Sequence, residues 1–122
     1  MNQKHHVSQT IAKQLVEAGI VIESEYGWVG FINDNGGEYF EVKHERDSYP
    51  PRYPAPIATE LLEWFPKGYD FGFELIKLGE GYGAICKDYR VMPYERIGFT
   101  KDDNAPDALA LLLIRLTKDG LI

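Results

Sequence analysis

Residues 26–43 read YGWVGFINDNGGEYFEVK, and this stretch decides the fold. Tyr26, Trp28, Gly30 and Ile32 alternate with Gly27, Val29 and Phe31, the period of two that a strand requires. Asn33-Asp34-Asn35-Gly36-Gly37 then breaks the pattern, and Asn35-Gly36 is expected to supply the positive φ of a tight hairpin. Glu38 to Lys43 alternates back, with Phe40 and Val42 on one face and Tyr39, Glu41 and Lys43 on the other. Both faces of this hairpin are partly apolar, so alternation alone does not say which one is hidden.

Toward the N-terminus, Ser8 to Ala18 has helical spacing. Ile11, Leu15 and Ala18 share a face with Ala12 and Val16 beside them, Ser8 is placed to cap the start, and Gly19 to end it. Beyond the hairpin, His44 to Ser48 is polar. Residues 49–56, YPPRYPAP, hold four prolines in eight positions, which forces an extended chain. The segment reads as a rigid connector pinned by Tyr49 and Tyr53; a ligand for a proline-recognising domain is the alternative.

Pro56 suits the first turn of a second helix, with Ile57, Leu61, Leu62 and Phe65 as its stripe, Trp64 at the edge, and Pro66 and Gly68 ending it. A second hairpin follows. Phe71 to Leu78 alternates, Gly79-Glu80-Gly81 turns, and Tyr82 to Tyr89 returns with Tyr82, Ala84 and Cys86 on one face and Ile85 and Tyr89 on the other. Arg96 to Thr100 reads as a short strand with Ile97 and Phe99 facing the same way. The last helix is capped by Asn104, carries Pro106 and Asp107 in its first turn, and buries Leu109, Leu112, Leu113 and Leu116. Gly120 is placed as a left-handed cap that folds Leu121 back onto Leu116. The sum is a single α+β domain over residues 1–122, with the proline-rich connector at 49–56. It has an antiparallel sheet of two hairpins plus a short strand, packed against about three helices.

The charge excludes more than it assigns. Thirteen Lys and Arg against nineteen Asp and Glu give 13 − 19 = −6, which disfavours a basic grip on nucleic acid. A nucleic-acid role would need Arg46, Arg52, Arg90, Arg96 and Lys101 to gather on one face. Thirteen interleaved basic residues also argue against mimicry of DNA. The apolar run Leu109–Ile114 falls far short of the roughly 20 residues a bilayer span needs. No secretory signal is visible, and one cysteine permits no internal disulfide, so a cytoplasmic protein without membrane contact is expected.

Motifs for chemistry are missing. His5, His6 and His44 lack metalloprotease spacing, and no zinc ligand set is visible. Cys86 lies within a strand pattern with no histidine nearby in sequence, which reads as a buried thiol. Gly79-Glu80-Gly81-Tyr82-Gly83 is followed by strand alternation and not by the helix a dinucleotide loop needs. Glu74, Asp88 and Asp102 are carboxylates without a partner the sequence can name, Asp102 and Asp103 precede a helix start, and Asp34 belongs to a turn. No catalytic residue, cofactor or metal is therefore assigned.

The aromatic residues carry the positive signal. Tyr26, Trp28, Tyr39, Tyr49, Tyr53 and Trp64 cluster in the first two thirds of the chain, in a stretch also rich in Glu23, Glu25, Glu38, Glu41, Glu45 and Asp47. They can roof the sheet and brace the connector. An aromatic centre with an acidic rim also fits a protein contact, since rings anchor interfaces. A base-stacking platform would want basic neighbours instead. The expected interaction surface is Tyr26, Trp28, Tyr39, Tyr49 and Tyr53, for a protein partner or for a second copy of the chain. The alternative is a small-molecule binder or small enzyme with a cleft near the first hairpin and connector, lined by Tyr26, Trp28, His44 and Tyr53.

The chain resembles a group of small, uncharacterised phage- and prophage-encoded proteins. The resemblance rests on the opening helix ending in Ala18-Gly19, the strand around Tyr26 and Trp28, and Tyr53-Pro54-Ala55-Pro56 leading to Leu61, Leu62 and Trp64. It continues through Gly81-Tyr82 and closes on Asn104-Ala105-Pro106-Asp107-Ala108-Leu109 with Leu112 and Leu113. It implies a bacterial host cell as the setting and the fold type. It supplies no catalytic residue. The missing chemistry and the aromatic surface lead to a non-enzymatic accessory protein that binds another protein, and a phage setting would make modulation of a host factor its natural specialisation.

Overall fold

Ser8 accepts the Ile11 N–H on its hydroxyl at 3.4 Å and starts α1, Gln9–Glu17. Gly19 ends it at φ +80°; its N–H bonds to the Val16 carbonyl, and the Ile20 N–H to the Leu15 carbonyl. Ala12, Leu15 and Ile20 are buried, so the cap also folds an apolar residue back onto the helix. The computed structural model describes residues 5–66 and 70–122.

The central hairpin forms as its alternation requires. β1, Tyr26–Ile32, pairs antiparallel with β2, Glu38–His44, from Tyr26 opposite His44 to Ile32 opposite Glu38. The Asn33 side-chain oxygen accepts from the Asn35 and Gly37 N–H groups and shapes the turn. Only Gly36 takes a positive φ, +81°; Asn35 does not share it.

The connector does more than connect. Tyr53–Pro54 forms β3, which pairs antiparallel with the free edge of β1, Gly27 opposite Pro54 and Trp28 opposite Tyr53. The Arg52 N–H reaches the Trp28 carbonyl and the Ala55 N–H the Tyr26 carbonyl, so the ladder uses the donors between the prolines. Pro54 lacks an N–H and is tolerable on an edge strand. Sheet one therefore runs β2-β1-β3.

The second helix is shorter than its stripe. α2 covers only Ala58–Leu62, with Pro56 ahead of its cap residue Ile57 and outside its first turn. Glu60 accepts the Ile57 N–H at 3.0 Å and anchors Ser24 at 2.7 Å. Leu61 and Phe65 are buried, whereas Leu62 is exposed like Trp64 because the helix stops before a second turn can turn it inward. Pro66 lies past that end, and Gly68 lies outside the described residues.

The second hairpin pairs β4, Phe71–Leu78, with β5, Gly81–Asp88, through a two-residue turn with Gly79 at φ +57°. β6, Glu95–Asp102, pairs with β5 on its other side, giving a separate sheet in the order β4-β5-β6. β6 extends beyond the expected Arg96–Thr100 at both ends. A bulge between Cys86 and Lys87 of β5 leaves Ile97 of β6 as the extra residue. Ile97 consequently joins the core beside Gly98, while Phe99 faces outward with Ile85; the two do not face the same way.

α3, Ala105–Lys118, is the hub. The Asn104 side-chain oxygen accepts the Asp107 N–H, and Gly120 closes the other end with Leu121 N–H bonded to the Leu116 carbonyl. Leu109, Leu112, Leu113 and Leu116 are fully buried, and so are Ala108 and Ala110. The helix packs on β5 and β6 along one side and on α1 and α2 along the other, so it is buried nearly all round. A Cβ at Gly98 would lie 2.9 Å from a Leu112 methyl, so the close seat of α3 on β6 depends on that glycine. The chain is an α+β fold, with two antiparallel three-stranded sheets and three α-helices among the described residues. No helix among the described residues is long and apolar enough to cross a membrane.

Candidate functional site

β1 sends alternate side chains to opposite faces, and this divides the five aromatic residues expected to share a surface. Trp28 points inward. It is 6% exposed, and its indole N–H donates to the Val7 carbonyl at 2.8 Å. Tyr53, opposite it in β3, is half-buried against the core. Tyr26 is wedged edge-on between His6 and His44, with ring centroids at 4.6 Å and 5.2 Å. These three brace the interior.

Tyr39 and Tyr49 lie on the opposite face, 42% and 47% exposed, around Phe31. Tyr39 stacks on Phe31 at 5.5 Å with an interplanar angle of 23°, and Tyr49 meets it edge-on at 5.5 Å. Lys43 Nζ sits 5.7 Å from both the Phe31 and the Tyr49 ring centroids. Tyr49 reaches this position through a built reversal. The His44 ring accepts the Arg46 N–H, Asp47 accepts the His44 N–H, and Ser48 adopts φ +61°. The returning chain lays Pro51 directly over Gly27, where any Cβ would collide with the proline ring. The patch is thus three rings and one cation on a pinned hairpin, with Glu41 paired to Lys43 at 3.3 Å.

A cleft of about 800 Å³ lies elsewhere, between the N-terminal segment, α2, the β4–β5 turn and the start of α3. Its walls include His6, Tyr26, Lys77, Tyr82, Glu80 and Asp103. Of the residues expected to line a cleft it includes Tyr26 but not Trp28, His44 or Tyr53, and it is displaced from the first hairpin toward the second. His6 is buried, its Nδ1 donates to the Ala55 carbonyl at 2.9 Å, and the residue forms part of the cleft wall. Lys77 Nζ donates to the Glu80 carbonyl and sits 4.3 Å from the Tyr82 ring centroid. The α3 start closes one side: Asn104 donates to the His6 carbonyl, and Asp107 accepts the Ser8 N–H at 2.7 Å. Burial raises the Asp107 carboxyl above its ordinary range, opposed by the Ser8 hydrogen bond.

The remaining ionisable candidates have structural partners. Cys86 is buried, and burial, helped by nearby Asp88, pushes its thiol up to about 11, far from a reactive thiolate. Glu74 binds Lys87 at 2.8 Å. Asp88 holds Arg90 through both oxygens, and those bonds lower its carboxyl. Asp102 accepts the Asn104 N–H. Gly79-Glu80-Gly81 is a hairpin turn. Among the described residues no group of three or more His, Cys, Asp and Glu is placed to hold a metal.

One exposed aromatic group escaped the sequence reading. Tyr89 and Tyr94 flank the β5–β6 connection with ring centroids 5.6 Å apart, and Val91 and Met92 are exposed at its tip. The signal available was Gly72, directly beneath the Tyr89 ring, but its pairing with Lys87 is not legible before the register is known. Comparison with known proteins finds no matching family model, no similar curated protein and no similar solved structure.

Proposed function

We propose that this chain is a non-enzymatic accessory protein that binds another protein through the Phe31–Tyr39–Tyr49 patch on the outer face of sheet one. The observation that carries the reading is the exposure of two tyrosines around a shared Phe31 on a hairpin already braced by Pro51 and the His44 cap. Ordering a ring costs little when its backbone and neighbours are already fixed, and such anchors contribute most of an interface's affinity. On this face Glu41 is paired with Lys43 beside the rings, whereas Glu38 lies on the other side of the hairpin, tied to Arg52, so the rings and not a one-signed rim support the contact. A host factor modulated by a phage-encoded protein is the partner class we assign, in keeping with the sequence resemblance. The test is affinity capture from host lysate with wild type and a Tyr39→Ser/Tyr49→Ser variant. One stoichiometric protein captured by wild type and lost by the folded variant supports the role. Equal capture by both removes the patch from it.

The cleft beside His6 favours a second reading, a small-molecule binder. Its volume of about 800 Å³ falls in the range of ligand pockets, and His6, Tyr26 and Tyr82 stand together in its wall. Fragment screening by two-dimensional NMR tests this: shifts confined to His6, Tyr26 and Tyr82 favour it, and a screen without shifts there removes it.

A further inference from the structure

The outer face of sheet two gathers cations in a chain whose net charge is −6. Strand alternation places Lys87 and Ile85 of β5 on this face with Arg96, Phe99 and Lys101 of β6 and Glu74 and Ile76 of β4. Three cations thus face outward against one carboxylate, Glu74, which binds Lys87 at 2.8 Å and leaves the net charge of the face to Arg96 and Lys101. Of the five basic residues that a nucleic-acid role would have to bring together, Arg96 and Lys101 are here, joined by Lys87. Arg90 is turned to the other side, tied to Asp88 and lying 4.7 Å from the Phe71 ring. The face carries no helix: α3 packs on the opposite side, against Gly98.

Its rings are arranged for stacking. Gly72 has no side chain, and the Tyr89 ring lies over it, closer than any Cβ would allow. That ring is 44% exposed, so one face rests on the sheet and the other meets solvent. Tyr94 stands beside it, 52% exposed, with Lys87 Nζ 4.8 Å from its centroid. Phe99 continues the row with Arg96 at 5.5 Å. Rings on an open sheet, interleaved with cations, hold bases by stacking and phosphates by charge, and this combination does not depend on sequence.

We infer that the outer face of sheet two binds single-stranded nucleic acid, with Tyr89 and Tyr94 as base-stacking platforms and Arg96 and Lys101 facing the phosphates. The face is distinct from the Phe31–Tyr39–Tyr49 patch and independent of its partner. A stack accepts an unpaired base and not a closed duplex, so the single strand is preferred. The charge of the whole chain keeps the binding weak and confined to low salt.

The test is fluorescence anisotropy of a short labelled oligo(dT) and of a duplex of equal length, titrated with the full chain at several salt concentrations. The expected result is preference for the single strand and a log–log salt slope of roughly −1.4, about −0.7 for each of two phosphates. Tyr89→Ala weakens binding by about tenfold, as loss of one stacked base does. Arg96→Gln with Lys101→Gln weakens it too and flattens the slope. The double charge variant touches no buried group and controls for any loss of fold in Tyr89→Ala. Absence of binding at low salt overturns the inference. So does binding insensitive to Tyr89 and equal for duplex and single strand, which would mark the face as a general acidic-partner surface.

Discussion

At the scale of single residues, two positions in β1 tie the first sheet to the rest of the chain. Gly27 lies under Pro51, and a Cβ there meets a rigid ring and not the far end of a flexible side chain. Gly27→Ala is therefore expected to cost about 1–3 kcal/mol as an overpacking change. It should also loosen the return that carries Tyr49, read as a lower Tm and a more exposed Tyr49. An unchanged Tm would mean that Pro51 yields. Trp28 donates to the buried Val7 carbonyl, so Trp28→Phe keeps the ring but orphans an acceptor, at a cost of about 1–3 kcal/mol in denaturant unfolding. The sequence placed Trp28 on the expected interaction surface and could not give its side of the sheet, which is the buried one. Gly27, Val29 and Phe31 on one face are about as apolar as Tyr26, Trp28 and Ile32 on the other. Only Val7, some 21 positions away, decides the matter by accepting the indole N–H.

At the scale of elements, α3 concentrates the stability. Leu112 and Leu116 are fully buried against the sheet around Gly98, so Leu112→Ala should cost about 2–5 kcal/mol, measured by chemical denaturation. Asp107 gives the pH dependence of the same helix. Its folded carboxyl is raised, so the fold binds that proton more tightly than the unfolded chain, and this contribution to stability falls as pH rises from the ordinary carboxylate range through the folded value. Asp107→Asn retains an acceptor for the Ser8 N–H and removes the buried charge. It should equal or exceed wild type in Tm at neutral pH and lose that advantage in acid; a lower Tm at neutral pH would show that the helix dipole outweighs burial. Elements whose signals are local were legible: the caps at Ser8, Gly19, Asn104 and Gly120, and both hairpins. The misread ones depend on distant partners. Residues 53–54 become a strand because β1 has a free edge, although proline-rich composition argues for a connector. Ile97 turns inward because a bulge resets the alternation of β6, and nothing in Arg96 to Thr100 announces it.

At the scale of the whole molecule, the chain separates its surfaces. The Phe31–Tyr39–Tyr49 patch lies on one sheet, and the basic face with Tyr89 and Tyr94 on the other. The cleft was not legible in position because its walls come from segments far apart: Asn104 holds the His6 carbonyl across 98 positions, and Asp107 the Ser8 N–H across 99. Total charge hid the basic face for a related reason, since a sum of −6 says nothing of where the cations sit. The central claim, partner binding at the first patch, has a built-in control. Tyr39 and Tyr49 are 42% and 47% exposed, and Tyr89 and Tyr94 are 44% and 52%, so all four should react comparably with a tyrosine-nitrating reagent on the purified protein. The most direct measurement is that nitration repeated in host lysate and read residue by residue by mass spectrometry. The account predicts protection of Tyr39 and Tyr49 in nuclease-treated lysate with Tyr89 and Tyr94 still reactive; Tyr39 and Tyr49 nitrated as fully in that lysate as in buffer would contradict it.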